Sequence, residues 1–195
     1  GNPDAWYNMR IVFGNLGRYE DALKAYDTAL KLKPSEPETW YSRGLALSYL
    51  GVYDEALKSY ERAIEFRPYD AEAWYGKALS LSNLGYHKEA IYAYERTIRL
   101  KPGAMAWYGK AVCLNILGYK DEALNALNEA IAIKPDYAKA WYRKASIYSF
   151  SGDRDSALEC LKKAVKFDPK CKEKAKNSED FKSFKDDEEF ISITD

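Results

Sequence analysis

Apolar and small residues recur along this chain at helical intervals. In "WYGKALSLSNLG", Trp74, Ala78, Leu81 and Leu84 fall on one helical face. In "DEALKSYERAIEF", Ala56, Leu57, Tyr60, Ala63 and Ile64 form a second such stripe, with charged residues filling the positions between. A glycine follows the first kind of stripe, at Gly17, Gly51, Gly85, Gly118 and Gly152. Each stands where a left-handed residue ends a helix, a conformation that glycine adopts without a Cβ penalty. A proline follows the second kind, at Pro34, Pro68, Pro102, Pro135 and Pro169, and has no N–H with which to continue a helix. The pattern predicts alternating helices, two per proline-bounded segment.

The segments repeat. Trp6, Trp40, Trp74, Trp107 and Trp141 are separated by 34, 34, 33 and 34 residues. Each unit reads as an αα-hairpin that cannot bury both of its faces alone, so the hairpins must stack. Small residues set the approach: Ala56, Ala63, Ala90, Ala123, Ala130, Ala157 and Ala164 let helix axes come close while Trp and Tyr fill the space beside them. With Trp, small, aliphatic, Gly, Ala, aromatic and Pro positions in this order, the chain resembles the tetratricopeptide repeat family. The resemblance covers residues 3–171 as five repeats, about 3–36, 37–70, 71–103, 104–137 and 138–171. It implies an all-α fold, a right-handed α-solenoid of five hairpins within a domain spanning 1–171. Arg10 departs from the small residue found at Gly44, Ala78, Ala111 and Ala145, and Thr97 replaces an alanine. The linker "KPGAMAW" is one residue shorter than its counterparts, and Gly103 is expected to absorb the tighter turn.

The ends differ. After Pro169 the segment "KCKEKAKNSEDFKSFKDDEEFISITD" loses the punctuation but keeps Phe181, Phe184, Phe190 and Ile191 among charges. Residues 172–195 are expected to form capping helices, with Ser178 starting one and Asp186 or Asp187 another. At the other end Gly1 and Asn2 run straight into the first tryptophan helix, which leads us to expect further repeats or another domain upstream.

Charge and chemistry narrow the function. Lysine plus arginine equals aspartate plus glutamate at 30 each, so no bulk field draws the chain to nucleic acid or to anionic lipid. No apolar run reaches the roughly 18 residues of a membrane span. Cys113, Cys160 and Cys171 form no metal-ligand spacing and read as reduced thiols in a cytoplasmic protein. His87 is the single histidine; it takes the place of Tyr19 and Tyr53 after the turn and reads as a surface substitution. No nucleophile, base and orienting group converge in the motifs, so no enzyme activity and no cofactor are expected. Arg43, Lys77, Lys110 and Lys144 recur three residues after a tryptophan. They are expected to lay their stems over its ring, near Asp21, Glu55, Glu89 and Glu122.

One further row stands out. The residue after every tryptophan is tyrosine: Tyr7, Tyr41, Tyr75, Tyr108 and Tyr142. The same face continues through Tyr49, Asn83 and Asn115. In the family these positions line the concave groove, which implies a scaffold or adaptor that binds a peptide or protein segment there. Stacking between neighbouring repeats is the competing account of the row. Lys139 and Arg143 match the last part of a clamp with which some family members hold acidic C-terminal tails. Tyr75, Leu79 and Gly109 replace the earlier parts, leaving an anionic anchor at one end of the groove. Two other readings stand beside the adaptor: the interaction arm of a larger enzyme whose catalytic domain lies upstream, and self-association through the array ends.

Overall fold

The computed structural model of the chain describes residues 18–195, and the expectations placed on Tyr7, Arg10 and Gly17 lie outside them. Among the described residues there are eleven α-helices, one 3-10 helix and no strand. They divide into two compact units, one ending at Pro102 and the other beginning at Gly103, at the shortened linker. The first unit holds α1 (Tyr19–Leu32), α2 (Pro37–Tyr49), α3 (Tyr53–Phe66), α4 (Ala71–Asn83) and α5 (His87–Leu100). The second holds α6 (Ala104–Ile116), α7 (Lys120–Ile133), α8 (Ala138–Phe150), α9 (Arg154–Phe167), α10 (Lys170–Asn177), the 3-10 helix Glu179–Phe184 and α11 (Glu188–Thr194). Within each unit, helices consecutive in the chain pack as pairs. The fold is all-α and built from hairpins, as the repeat predicts.

The glycine signal has a full hydrogen-bonding account. Gly51, Gly85, Gly118 and Gly152 have φ between 76° and 85°. At the end of α2, Val52 N–H donates to Leu47 C=O at 2.9 Å and Gly51 N–H to Ser48 C=O at 3.1 Å, which satisfies two of the carbonyls a helix end leaves open. The same pair of bonds closes α4, α6 and α8. The proline signal acts one residue earlier than its missing N–H would suggest. Lys33, Arg67, Lys101, Lys134 and Asp168, each just before a proline, all have φ between −133° and −150°. Steric conflict with the proline ring excludes the α region there. Gly103, expected to absorb the short linker, is extended at φ −159° and ψ 143°, a conformation any residue adopts.

Tryptophan and proline prove to be partners. Trp40 Nε1 donates to the Pro34 carbonyl at 2.7 Å, and Trp74 and Trp141 donate to the Pro68 and Pro135 carbonyls at 2.9 Å each. The bond pins the start of one hairpin to the end of the one before it and satisfies both groups. Ala56, Ala90, Ala123, Ala157 and Ala164 are fully buried, as the close approach requires. Thr97, buried in an alanine position, turns its hydroxyl to the Ala93 carbonyl at 3.0 Å and leaves no orphan donor.

The C-terminal segment covers α8 and α9. Phe181, Phe184, Phe190 and Ile193 join Leu158, Leu161 and Ala164 in one buried cluster. The Phe181 ring stacks on Phe190 at 5.9 Å between centroids. Ser178 and Asp187 cap the short helices, Ser178 through Asp180 N–H and Asp187 through the N–H groups of Glu189 and Phe190. The Arg154 guanidinium grips Asp187 at 2.6 and 2.9 Å and Glu189 at 3.1 Å.

Candidate peptide-binding cleft

Between α2 and α4 of the first unit lies a cleft of about 360 Å³. Its walls carry Tyr41, Leu45, Ser48 and Tyr49 from α2, and Glu72, Tyr75, Gly76, Leu79 and Asn83 from α4, with Tyr53 and Tyr60 of α3 behind them. Four of the residues singled out from sequence, Tyr41, Tyr49, Tyr75 and Asn83, are therefore brought together. Their partners explain the posture of each. Tyr41 is half-buried with its ring tilted on Tyr60 at 5.9 Å, and Tyr75 meets Tyr94 edge-on at 6.0 Å. Tyr49 is 63% exposed and stacks on Tyr19 at 4.9 Å. Asn83 turns its amide back to the Leu79 carbonyl at 2.8 Å. Burial raises the Tyr75 hydroxyl pKa, and the Glu72 carboxylate adds to the rise.

Tyr60, a member of the apolar stripe of α3, is the floor of this site. It is 2% exposed, and its hydroxyl lies 3.2 Å from that of Ser48. Burial pushes its pKa well above the ordinary tyrosine range. A Cβ on Gly76 would lie 2.4 Å from the Tyr60 ring, and one on Gly44 would lie 2.9 Å from it. Glycine at both positions is what lets the ring wedge between α2 and α4. The recurring "WYG" at Trp74 to Gly76 was the available signal, but only the contact gives it meaning.

The remaining candidates separate. In the second unit, Tyr108 is half-buried and its ring meets Tyr137 at 5.4 Å, while Asn115 is half-buried on the same helix. Lys139 is exposed, and half-buried Arg143 has a buried Nε with no hydrogen-bond partner. Tyr142 is not on an open surface. It is 4% exposed, with Phe181 against its ring at 5.6 Å and the Lys174 ammonium 4.2 Å above it. The C-terminal segment removes it from the candidate surface, because that segment lies over this end of α8.

Three of the four basic residues make the expected tryptophan contact, while Arg62 lies over Trp40 and Arg43 reaches the expected Glu55. Lys77, Lys110 and Lys144 lie 5.6, 5.4 and 5.6 Å from the centroids of Trp74, Trp107 and Trp141. The acids reached from this row sit mainly on the second helix of the preceding repeat. Arg43 pairs with Asp27 at 2.8 Å as well as Glu55 at 3.2 Å, and Lys77 pairs with Glu61 at 2.8 Å. Lys144 meets Asn128 at 2.8 Å. His87 is half-buried, with Nδ1 buried and unpartnered. The three cysteines are buried and form no disulfide, and burial pushes the Cys160 thiol up to about 11. Among the described residues no helix is long and apolar enough to cross a membrane.

Family models described as tetratricopeptide repeat match residues 11–71, 41–104, 87–138 and 138–171. The chain belongs to the tetratricopeptide repeat family. No curated protein sequence matches it. Among solved structures, a crystal structure of MamA is 28% identical with a TM-score of 0.77, over 81% of this chain and 93% of that one. YrrB, described as a TPR protein with an unusual peptide-binding site, is 27% identical with a TM-score of 0.71, over 84% of this chain and 85% of its own. A MamA from Desulfovibrio magneticus RS-1, residues 41 to the end, is 22% identical with a TM-score of 0.78, over 90% of this chain and 97% of that one, and speaks to the fold alone. Membership of the family and the likeness to YrrB and to the 28% identical MamA support protein–protein interaction in general.

Proposed function

We propose that this TPR protein is a non-catalytic, cytoplasmic adaptor that binds a peptide or protein segment on the tyrosine-bearing face of its first helices. The observation that carries the reading is the cleft between α2 and α4, walled by Tyr41, Tyr49 and Tyr75 with Leu45 and Leu79 between them. Rigid aromatic walls offer apolar area at low entropic cost, with a hydroxyl on each ring to orient a bound backbone. The peptide-binding site described for YrrB, a structure of similar fold, supports the same use of the scaffold. Buried cysteines without a disulfide suit a reducing compartment.

The test is site-specific photo-cross-linking in the native cell. A photoreactive residue at position 79 in the cleft is expected to yield a discrete adduct. The same residue at exposed Lys58 of α3 is expected to yield none, and Tyr75→Ala in a folded chain to weaken the adduct at 79. Equal adducts at both positions, or an adduct at 79 indifferent to Tyr75→Ala, would overturn the reading.

A further inference from the structure

A second groove, of about 650 Å³, lies between α1 and α3, on the face of α2 turned away from Tyr41 and Leu45. Half-buried Trp40 and buried Leu30 give it apolar surface, and four basic and two acidic side chains line the rest. The Arg43 guanidinium, 18% exposed, holds both acids, Asp27 at 2.8 Å and Glu55 at 3.2 Å, and donates to Ser59 Oγ at 2.8 Å. Arg62 lies over the Trp40 ring, 5.8 Å from its centroid, and pairs with Glu65. Lys31 and Lys58, both exposed, are left with no ion pair among the described residues.

The framework of this groove recurs along the chain, and the two lysines do not. Lys77 reaches Glu61 and Lys144 reaches Asn128, as Arg43 reaches Asp27. Arg96 and Lys163 lie over Trp74 and Trp141, as Arg62 lies over Trp40. Lys31 stands nine residues before Trp40 and Lys58 eighteen after it; the same offsets give Glu65 and Tyr92 around Trp74, and Ala132 and Glu159 around Trp141. Tyr92 packs edge-on against Trp74 at 6.1 Å and Glu159 pairs with Lys163 at 2.7 Å, so each is held within its own repeat. Two positive charges without acids, beside an aromatic ring, complement carboxylates that flank an apolar side chain. With 30 basic and 30 acidic residues, the chain has no net charge with which to hold an extended polyanion such as nucleic acid.

We propose that this groove docks a short acidic segment of a partner protein, its carboxylates on Lys31 and Lys58 and an apolar side chain between them on Trp40. The groove shares no residue with the α2/α4 cleft and does not depend on the reading of that cleft. The test is fluorescence anisotropy at low ionic strength, with the intact chain and a labelled peptide carrying one leucine between two pairs of glutamates. Saturable binding is expected, weakened about fivefold or more by Lys31→Glu and by Lys58→Glu, because each reversal exchanges an attraction for a repulsion. Lys88→Glu, the same change at an exposed site on α5, is expected to cost less than about twofold. Serine in place of the peptide's leucine is expected to cost about threefold or more. Circular dichroism confirms the fold of each variant. A photoreactive residue in place of Lys58 removes one of the two anchors, so a silent position 58 in the cross-linking experiment is the expected result here as well. No saturable binding, indifference to either groove lysine or to the leucine, an equal loss on Lys88→Glu, or equally tight binding of a thymidine oligonucleotide of the same charge would each overturn the proposal.

Discussion

Tyr60 shows how one residue type dictates another at a distance. Its buried ring leaves no room for a side chain at Gly76, and in the later repeat the arrangement is inverted: Leu127 stands at the position of Tyr60 and Arg143 at that of Gly76. A shorter side chain in one helix goes with a longer one in the next. Gly76→Ala is therefore expected to destabilise the chain by about 1–3 kcal/mol through overpacking. Tyr60→Leu alone is expected to cost stability through lost burial, yet in the double variant it should recover most of the Gly76→Ala penalty. Urea denaturation of the two single variants and the double variant gives the coupling. Strict additivity would show that the ring and the glycine are not a pair. Sequence spacing displayed the glycines and prolines as punctuation because each acts locally through φ. It hid the Tyr60 to Gly76 contact, which is set by helix approach, and the Trp-to-Pro hydrogen bonds, which need the hairpins stacked first.

At the scale of elements, the helices were legible from their stripes and the C-terminal segment only in outline. Its caps fall at Ser178 and at Asp187 rather than Asp186, and its phenylalanines are buried. Where it lies could not be read, because once the repeat pattern stops there is no register to copy, and so Tyr142 was expected on an open face. Two predictions belong here. Phe181→Ala, at the centre of the cluster, is expected to cost about 3–5 kcal/mol in a urea melt. A loss under about 1 kcal/mol would mean the segment does not hold the end of the stack. The second concerns acid. The Arg154 guanidinium, helped by the N–H groups of Phe190 and Glu189, holds the Asp187 carboxyl down at about 2, below its ordinary 3.8. A depressed carboxyl pKa stabilises the folded form fully above the ordinary value, and that contribution is lost as pH falls from about 4 to about 2. Asp187→Asn should therefore flatten the fall in stability across this window, measured by denaturant titration at stepped pH. An unchanged slope would show that this ion pair plays no part in holding the segment down.

For the whole molecule, 30 basic and 30 acidic residues leave a surface without a dominant field, and much of the charge is paired locally along the helices. Association through the α2/α4 cleft should therefore be governed by apolar contact and one nearby carboxylate, not by long-range attraction. The expected result is that partner affinity falls by less than about threefold when salt rises from 50 to 500 mM, because only short-range charge contacts survive within a few ångströms of screening length. Lys139 and Arg143 provide the opposing case. They lie on α8 of the second unit, and a partner with an acidic end anchored there would lose affinity steeply with salt. It would also lose about tenfold or more on Arg143→Ala, since a half-buried guanidinium with an unpartnered Nε is a strong anion donor once engaged. A cleft-bound partner should ignore Arg143→Ala and respond to Leu79→Lys. Calorimetric titration of the cross-linked partner, once isolated, against these two variants at both salt concentrations separates the cases. A steep salt slope together with loss on Arg143→Ala would move the binding site from the first unit to the second.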